Sequence, residues 1–420
     1  MEVVSYGEFS REMHARVHSQ RVPTEATIEV TRRCPLGCAH CYNNLPVGDR
    51  EARRTELTYE EHCRLLDELS EAGCLWLLYT GGEIFARRDF LEIYTYAKRK
   101  GFLITLFTNG TLITPRIADY LVEWRPFSIE ITLYGRTRET YERLTGVPGS
   151  FERCLRGINL LRERRLPLKL KAVAVTLNQH EIWDMKQFAE EELGLEFKFD
   201  AMMSPRIDCS QSPLGVRLTP EQTVALDLED AARVAEWKRF AARFNGPAFT
   251  NERSGEVYHC GGGINSFAID PQGKMSICVL SHFDTFDLRR GSFREGWDDF
   301  LLRVRRKRTT AVTKCVACEI KPMCGMCPAN GELENGHAEK PVDFLCHVAH
   351  LRAQAFGIDV PPHGECEYCV GGSRHTELMR EVAALHGRDG RARPKAQGQG
   401  RYLPVVNATS SSGGCSSCHH

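Results

Sequence analysis

Nowhere in this chain does an apolar run approach the roughly 18 residues that a membrane-spanning helix needs, so no membrane anchor is expected. The opening stretch, MEVVSYGEFSREMHARVHSQR, is too charged to hold the apolar core of a secretory signal, which points to a cytoplasmic location. Charge of one sign is lacking as well. Fifty-five Lys and Arg balance 55 Asp and Glu, and a balanced chain exerts no long-range pull on a polyanion, so nucleic acid is not an expected partner. No internal repeat of fixed period is visible. What remains is a globular composition, 42% hydrophobic and 26% charged, in 420 residues. At about 150 residues per domain that length suggests two to three domains.

Cysteine, by contrast, is abundant: there are 18. Disulfide frameworks belong to short, secreted, loop-rich chains, and this chain is long and has no secretory signal, so metal ligation is the expected use. Cys34, Cys38 and Cys41 form one group, and Cys260, Cys278, Cys315, Cys318, Cys324, Cys327 and Cys346 a second. Two isolated Cys-x2-Cys pairs follow, at Cys366/Cys369 and Cys415/Cys418. Cys63, Cys74 and Cys154 read as small buried hydrophobes.

Six β-branched or aromatic runs alternate with amphipathic helical stretches: residues 27–30, 75–80, 102–108, 127–133, 168–176 and 195–202. That alternation predicts an α/β chain, a partial (β/α)6 TIM-type barrel, with a C-terminal cysteine-rich iron-sulfur domain. The expected division is an N-terminal segment 1–24, the barrel 25–205, a connection 206–255 with a helix near 227–244, a cysteine-rich domain 256–352 and a flexible tail 353–420. In barrels of this kind, chemistry sits where the strands end.

The first cysteines directly follow the first strand, in IEVTRRCPLGCAHCYNN. Three thiolates leave one iron of a four-iron cluster open to a non-protein ligand, at the barrel mouth. A structural zinc completed by His40 is the competing reading. The Cys-x3-Cys-x2-Cys spacing, with His40 in the place of the usual aromatic, resembles the radical S-adenosylmethionine (radical SAM) superfamily. The resemblance implies a [4Fe-4S] cluster on Cys34, Cys38 and Cys41 whose open iron is chelated by SAM. One-electron cleavage of SAM would then yield a 5′-deoxyadenosyl radical that takes hydrogen from a substrate.

It also implies that Gly81, Gly82 and Glu83, at the end of the second strand, meet the methionyl amino group of SAM; Ile84 stands where a Pro is common. On the fourth run Glu130 and Thr132 alternate with Ile129, Ile131 and Leu133, offering a polar face to the SAM ribose.

The second cysteine group resembles the SPASM extension of radical SAM peptide maturases, with Asp270, Pro271, Gln272 and Gly273 turning between two short strands. By motif position, two auxiliary iron-sulfur clusters are implied. Cys260, Cys278 and Cys327 would hold one, and Cys315, Cys318, Cys324 and Cys346 the other; paired zinc ribbons are the competing reading. Two intervals depart from the family pattern, and Ser254 stands where a further Cys is common, so the first cluster is expected to keep an open iron or borrow Cys209. Val279 replaces the Asp of sulfatase-maturing relatives.

The branch implied is that of ribosomal-peptide maturases, such as those of pyrroloquinoline quinone and mycofactocin biosynthesis. Expected partners are a precursor peptide, a separate leader-peptide recognition protein and a flavodoxin- or ferredoxin-type electron donor. Alternatives are radical chemistry on a modified tetrapyrrole and a non-enzymatic electron carrier. The basic run Arg303, Arg305, Arg306, Lys307 and Arg308 reads as a solvated helix face. Cys366/Cys369 and Cys415/Cys418 are either incidental thiols of the tail or meet to hold zinc or exchange electrons.

Overall fold

The computed structural model describes residues 5–18, 20–246 and 255–387. Ser254, Cys415 and Cys418 therefore lie outside the described residues. All six expected strands form: β1 (Glu25–Thr31), β2 (Trp76–Gly81), β3 (Leu103–Thr108), β4 (Ser128–Thr132), β5 (Leu168–Val173) and β6 (Phe197–Asp200). They pair in parallel, each with the next in sequence. The architecture is a partial TIM-type barrel.

Register explains the alternation read from the sequence. Ile28, Tyr79, Leu106, Ile129 and Leu168 stand opposite one another across five strands and are all buried. Side chains alternate faces along a strand, so Phe107, Glu130, Thr132, Lys171 and Lys198 share the other face. The helices that cover the sheet carry their own start signals. In Tyr59–Glu71, Thr58 Oγ accepts the Glu61 N–H at 3.2 Å while Glu61 accepts the Thr58 N–H at 2.8 Å, and His62, Leu65, Leu66 and Leu69 form its buried stripe.

The predicted turn at Asp270–Gly273 also forms, between β7 (Ser266–Ile269) and β8 (Lys274–Ser276). Asp270 accepts the N–H groups of Gln272 and Lys274, and Gly273 takes the positive φ of 80° that closes the hairpin. The hairpin does not stand apart from the barrel. Strand β7 pairs in parallel with β1, so with β9 (Phe286–Asp287) the full sheet runs β9-β8-β7-β1-β2-β3-β4-β5-β6. The segments bearing Cys260 and Cys278 thus flank a hairpin that extends the sheet from β1.

The expected helix near 227–244 is two helices, Pro220–Leu228 and Ala231–Phe244. The stretch expected as a tail departs further from its reading. Helix Asp343–Ala355 runs past residue 352, and helix His375–His386 buries Leu378, Val382 and Leu385 in a core shared with Tyr368, Cys366 and Cys369. Apolar residues persist at helical spacing to Leu385, and that spacing is enough to dock the segment. Among the described residues no helix is long and apolar enough to cross a membrane.

Candidate active site and metal-binding thiols

The first three cysteines sit on a loop closed at its base by the short pairing of Arg33–Cys34 with Leu45–Pro46. Helix Arg138–Thr145 ends against it. Two carbonyls of its last turn accept loop N–H groups, Thr145 from Gly37 at 2.9 Å and Leu144 from Ala39 at 3.0 Å. Beneath the loop, buried Glu29 accepts hydrogen bonds from Tyr42 and Asn43, and Arg33 makes a bidentate ion pair with Glu56.

Cys34, Cys38 and Cys41 are close enough to disfavour one another's ionisation. Burial, with Glu83 and Cys41 adding to it, pushes the Cys34 thiol up to about 12; burial and then its two partners push Cys38 well up. Burial chiefly raises Cys41 too. Thiols arranged this way bind metal only by shedding protons, which a cationic cluster promotes. His40 packs on the Tyr134 ring, its Nδ1 is buried without a hydrogen-bond partner, and burial lowers its pKa to about 4. It is a neutral imidazole facing the site.

Gly81 and Gly82 are explained by contact between two backbones. Gly82 N–H donates to the Thr31 carbonyl at 2.7 Å and Glu83 N–H to that of Arg33 at 3.0 Å. A Cβ on Gly81 would lie 2.0 Å from the Thr31 oxygen, and one on Gly82 2.4 Å from the Arg32 oxygen. The glycines let the end of β2 lie against the chain entering the cysteine loop. The Glu83 carboxylate turns into the fold instead, accepting from Thr108 Oγ at 2.7 Å and Asn109 N–H at 2.8 Å. Asn109 Nδ2 in turn lies 3.5 Å from Cys34 Sγ. Glu83 thereby holds the end of β3 beside the thiols.

Glu130 is not free either: Lys171 and Lys198 each approach its carboxylate to 3.2 Å. Burial lowers the Lys171 pKa to about 7 even with Glu130 opposing. Thr132, Lys171 and Lys198 line a cavity of about 850 Å³ at the strand ends. Its far wall carries Trp237, Phe240, Met323 and Cys324. Arg233 and Arg352, also on that wall, both pair with buried Asp227.

In the second thiol group, Cys278 is pushed up to about 11 by burial and then by Cys327 and Cys260, while Cys324 is pushed up to about 12 by burial with Cys315 contributing. Burial and then Cys324 and Cys315 raise Cys318, and Cys346 has Cys324 as a neighbour. Cys260, Cys278 and Cys327 thus come together, as do Cys315, Cys318, Cys324 and Cys346. A cavity of about 280 Å³ opens among Cys260, Cys315 and Cys327, room for an inorganic cluster.

Around a single zinc, sulfur ligands lie about 3.8 Å apart. Among the described residues the one set of His, Cys, Asp or Glu ligand atoms converging within 4.8 Å is elsewhere, on His350, His363, Cys366 and Cys369.

Several contributors carried no signal in the sequence. Arg206 donates to the carbonyls of Cys41 and Asn44. Arg305, from the basic run, is buried and donates to the Cys260 carbonyl at 2.9 Å, so that face is not wholly solvated. Cys209 has Asp208 and Glu332 as its charged neighbours, and the Oε2 of Glu332 is buried without a hydrogen-bond partner beside Cys327. His363 had a readable cue, standing three residues before the Cys-x2-Cys pair, and His350 had none.

A barrel whose first loop presents three thiols beside a Gly-Gly-Glu turn, backed by a second thiol region, is the arrangement of an iron-sulfur enzyme. The sequence profile described as "Radical SAM superfamily" matches residues 28–190. Those residues form a radical SAM domain, and the chain as a whole resembles radical SAM enzymes of the SPASM subclass. It is 28% identical over 327 residues to the AdoMet-dependent heme synthase of Methanosarcina barkeri, covering 73% of this chain and 92% of that protein. It is also 28% identical over 353 residues to the PqqA peptide cyclase of Bradyrhizobium diazoefficiens, covering 80% and 89%. In fold it resembles Streptococcus suis SuiB bound to S-adenosylmethionine, with a TM-score of 0.58 at 17% identity over 82% of each chain.

Proposed function

We propose that this enzyme modifies a ribosomally made peptide by hydrogen abstraction, forming a thioether, a carbon-carbon crosslink or a related change. The observation that carries the reading is the cavity of about 850 Å³ running from the strand ends to Cys324. A segment of peptide laid there touches the barrel mouth on one side and the auxiliary thiols on the other. The likeness to a PqqA peptide cyclase over most of both chains supports it.

Cys34, Cys38 and Cys41 would hold the [4Fe-4S] cluster, with its open iron for SAM. The bound pair supplies a 5′-deoxyadenosyl radical that takes a substrate hydrogen. Around it, Gly81 and Gly82 offer backbone to the methionyl amino group, and the neutral His40 and Tyr134 shield the loop from water. Thr132 and the Glu130–Lys171–Lys198 group present polar atoms to the ribose or to the substrate. Cys260, Cys278 and Cys327, and Cys315, Cys318, Cys324 and Cys346, would hold two auxiliary clusters. A leader-recognition protein and a flavodoxin- or ferredoxin-type donor complete the system.

A second reading, chemistry on a modified tetrapyrrole, draws on the heme synthase likeness. Anaerobically reconstituted enzyme with SAM and a reductant, offered short peptides encoded beside its gene and, separately, iron coproporphyrin, separates the two. A mass change in a peptide matched by 5′-deoxyadenosine supports the first; turnover of the porphyrin alone overturns it.

A further inference from the structure

Beside the second thiol group, where Cys366 neighbours Cys346, Cys315 and Cys318 and Cys346 Sγ lies 3.7 Å from His350 Nδ1, four further ligand atoms converge. His350 lies on helix Asp343–Ala355, and His363, Cys366 and Cys369 lie on the chain that follows it. All four are buried, from 1% exposed at His350 to 6% at His363, and their ligand atoms lie within 4.8 Å of one another. Cys366 Sγ is 3.4 Å and Cys369 Sγ 3.8 Å from His350 Nε2, and Cys369 Sγ is 4.0 Å from His363 Nε2. With zinc-sulfur bonds of about 2.3 Å and zinc-nitrogen bonds of about 2.0 Å, the edges of a tetrahedral site run from about 3.4 to about 3.8 Å. The observed spacings match a single ion.

Both rings are also oriented for the task. His350 Nδ1 stands 2.7 Å from the Cys346 carbonyl, and His363 Nδ1 2.9 Å from that of Pro361, although this nitrogen is also 3.4 Å from Cys369 Sγ. An Nδ1–H donating to a backbone carbonyl fixes the tautomer and leaves the Nε2 lone pair for a metal, the arrangement that surrounds ligating histidines.

We propose that His350, His363, Cys366 and Cys369 form a structural zinc site. Two thiolates, two neutral imidazoles and Zn²⁺ sum to zero charge, which suits a buried site. Hard cations that want oxygen find none among the four donors. A two-iron cluster of mixed ligation puts its histidines on one iron and its cysteines on the other. Here a cysteine sulfur lies within 4 Å of each histidine, so the pairs are not segregated. On the proposed assignment Cys315, Cys318, Cys324 and Cys346 supply four ligands to the neighbouring cluster, so Cys366, although its thiol meets that of Cys346, is free with Cys369 to serve the two histidines. The Cys366/Cys369 pair is therefore completed by the two histidines, and not by Cys415 and Cys418.

The site has a mechanical consequence. It pins the chain at 363–369 to the helix that carries Cys346 one turn before His350, and Lys314, beside Cys315, pairs with Glu367 on the pinned segment.

The test is elemental analysis and zinc-edge X-ray absorption on the full-length protein purified anaerobically without added metal. About one zinc per chain with two sulfur and two nitrogen neighbours is expected. Absence of zinc, iron in its place, or a shell of four sulfurs overturns the proposal. The double variant Cys366→Ser/Cys369→Ser should lose the zinc while still forming 5′-deoxyadenosine from SAM, and Cys415→Ser/Cys418→Ser should keep it. Zinc retained in the first variant, or lost in the second, overturns the assignment. The absorption measurement on the unaltered protein decides the matter even where the first variant fails to fold.

Discussion

Arg206 Nη1 donates to the carbonyl of Cys41 at 3.2 Å, joining the segment after the last barrel strand to the loop after the first. The same guanidinium reaches Asn44 Oδ1 at 2.8 Å and the Asn44 carbonyl at 2.9 Å. One side chain thus clamps the open side of the thiol loop. Arg206→Ala removes three charge-assisted hydrogen bonds and should cost about 1–3 kcal/mol of local stability. Reconstituted variant should lose its barrel cluster on dilution or chelator challenge several-fold faster than the parent, read from the decay of visible absorbance. An unchanged decay would show that the clamp is dispensable.

Gly82→Ala places a Cβ 2.4 Å from the Arg32 oxygen and 2.6 Å from the Arg33 oxygen, backbone atoms that cannot swing aside. Overpacking of this kind costs about 1–3 kcal/mol, here at the contact that seats the Gly-Gly-Glu turn on the thiol loop. A lower melting temperature together with loss of 5′-deoxyadenosine formation is expected. Full cleavage activity in the variant would show that the two segments need not touch.

Replacing Cys34, Cys38 and Cys41 together by Ala should abolish SAM cleavage and leave the iron of the second thiol region in place. Iron analysis adds a number: about 12 atoms per chain for three four-iron clusters, falling by about four in the triple variant. Normal cleavage by that variant would overturn the radical SAM site. An unaltered protein with about four irons and two additional zincs would favour ribbons over auxiliary clusters.

Lys171 supplies a pH signature. Burial lowers its pKa to about 7, so in the folded protein it goes from mostly charged at pH 6 to mostly neutral at pH 8. An anionic group bound in the cavity should therefore be held less tightly as pH rises through 7, with KM for the substrate increasing several-fold. The sign for stability is the opposite. The unfolded chain holds the Lys171 proton up to its ordinary pKa near 10.5 while the folded chain releases it near 7, so stability is lost as pH falls from about 10.5 to about 7 and is level below. Lys171→Met should flatten both profiles in that window. A KM slope that survives the substitution would assign the titration to another group.

Truncation after Gly357 removes His363, Cys366, Cys369 and the helix His375–His386, uncovering the face that buries Val348, Leu351 and Ala355. Truncation after Gly387 removes none of these. The first should lower the melting temperature by several degrees and expose apolar surface to a hydrophobic dye, and the second should do neither. Equal behaviour of the two would show that the docked helix contributes little.

Much of this was legible along the chain because its causes are local. The six strands announce themselves as short β-branched or aromatic runs between helical stretches, and all six form near the predicted bounds, although the fifth stops at Val173, short of the expected Thr176. The thiol loop and its adjacent strand are likewise contiguous, so three thiols within eight residues point to a cluster site without any fold. The Asp270–Gly273 turn follows from Asx hydrogen bonding and a glycine at positive φ, both written in four residues.

Contacts between distant residues were decided by tertiary structure alone. The chain dictates that β7 is a strand, but only the folded sheet shows it pairing with β1, since strand pairing carries no local mark. Glu83, a motif residue in the sequence, spends its carboxylate on Thr108 and Asn109 because β3 ends beside it. His350 and Cys366 are 16 residues apart, and a helix and a turn must form before their lone pairs point at one place. Metal ligation is a matter of angstroms between atoms, and sequence spacing sets that distance only where the intervening backbone is too short to do otherwise.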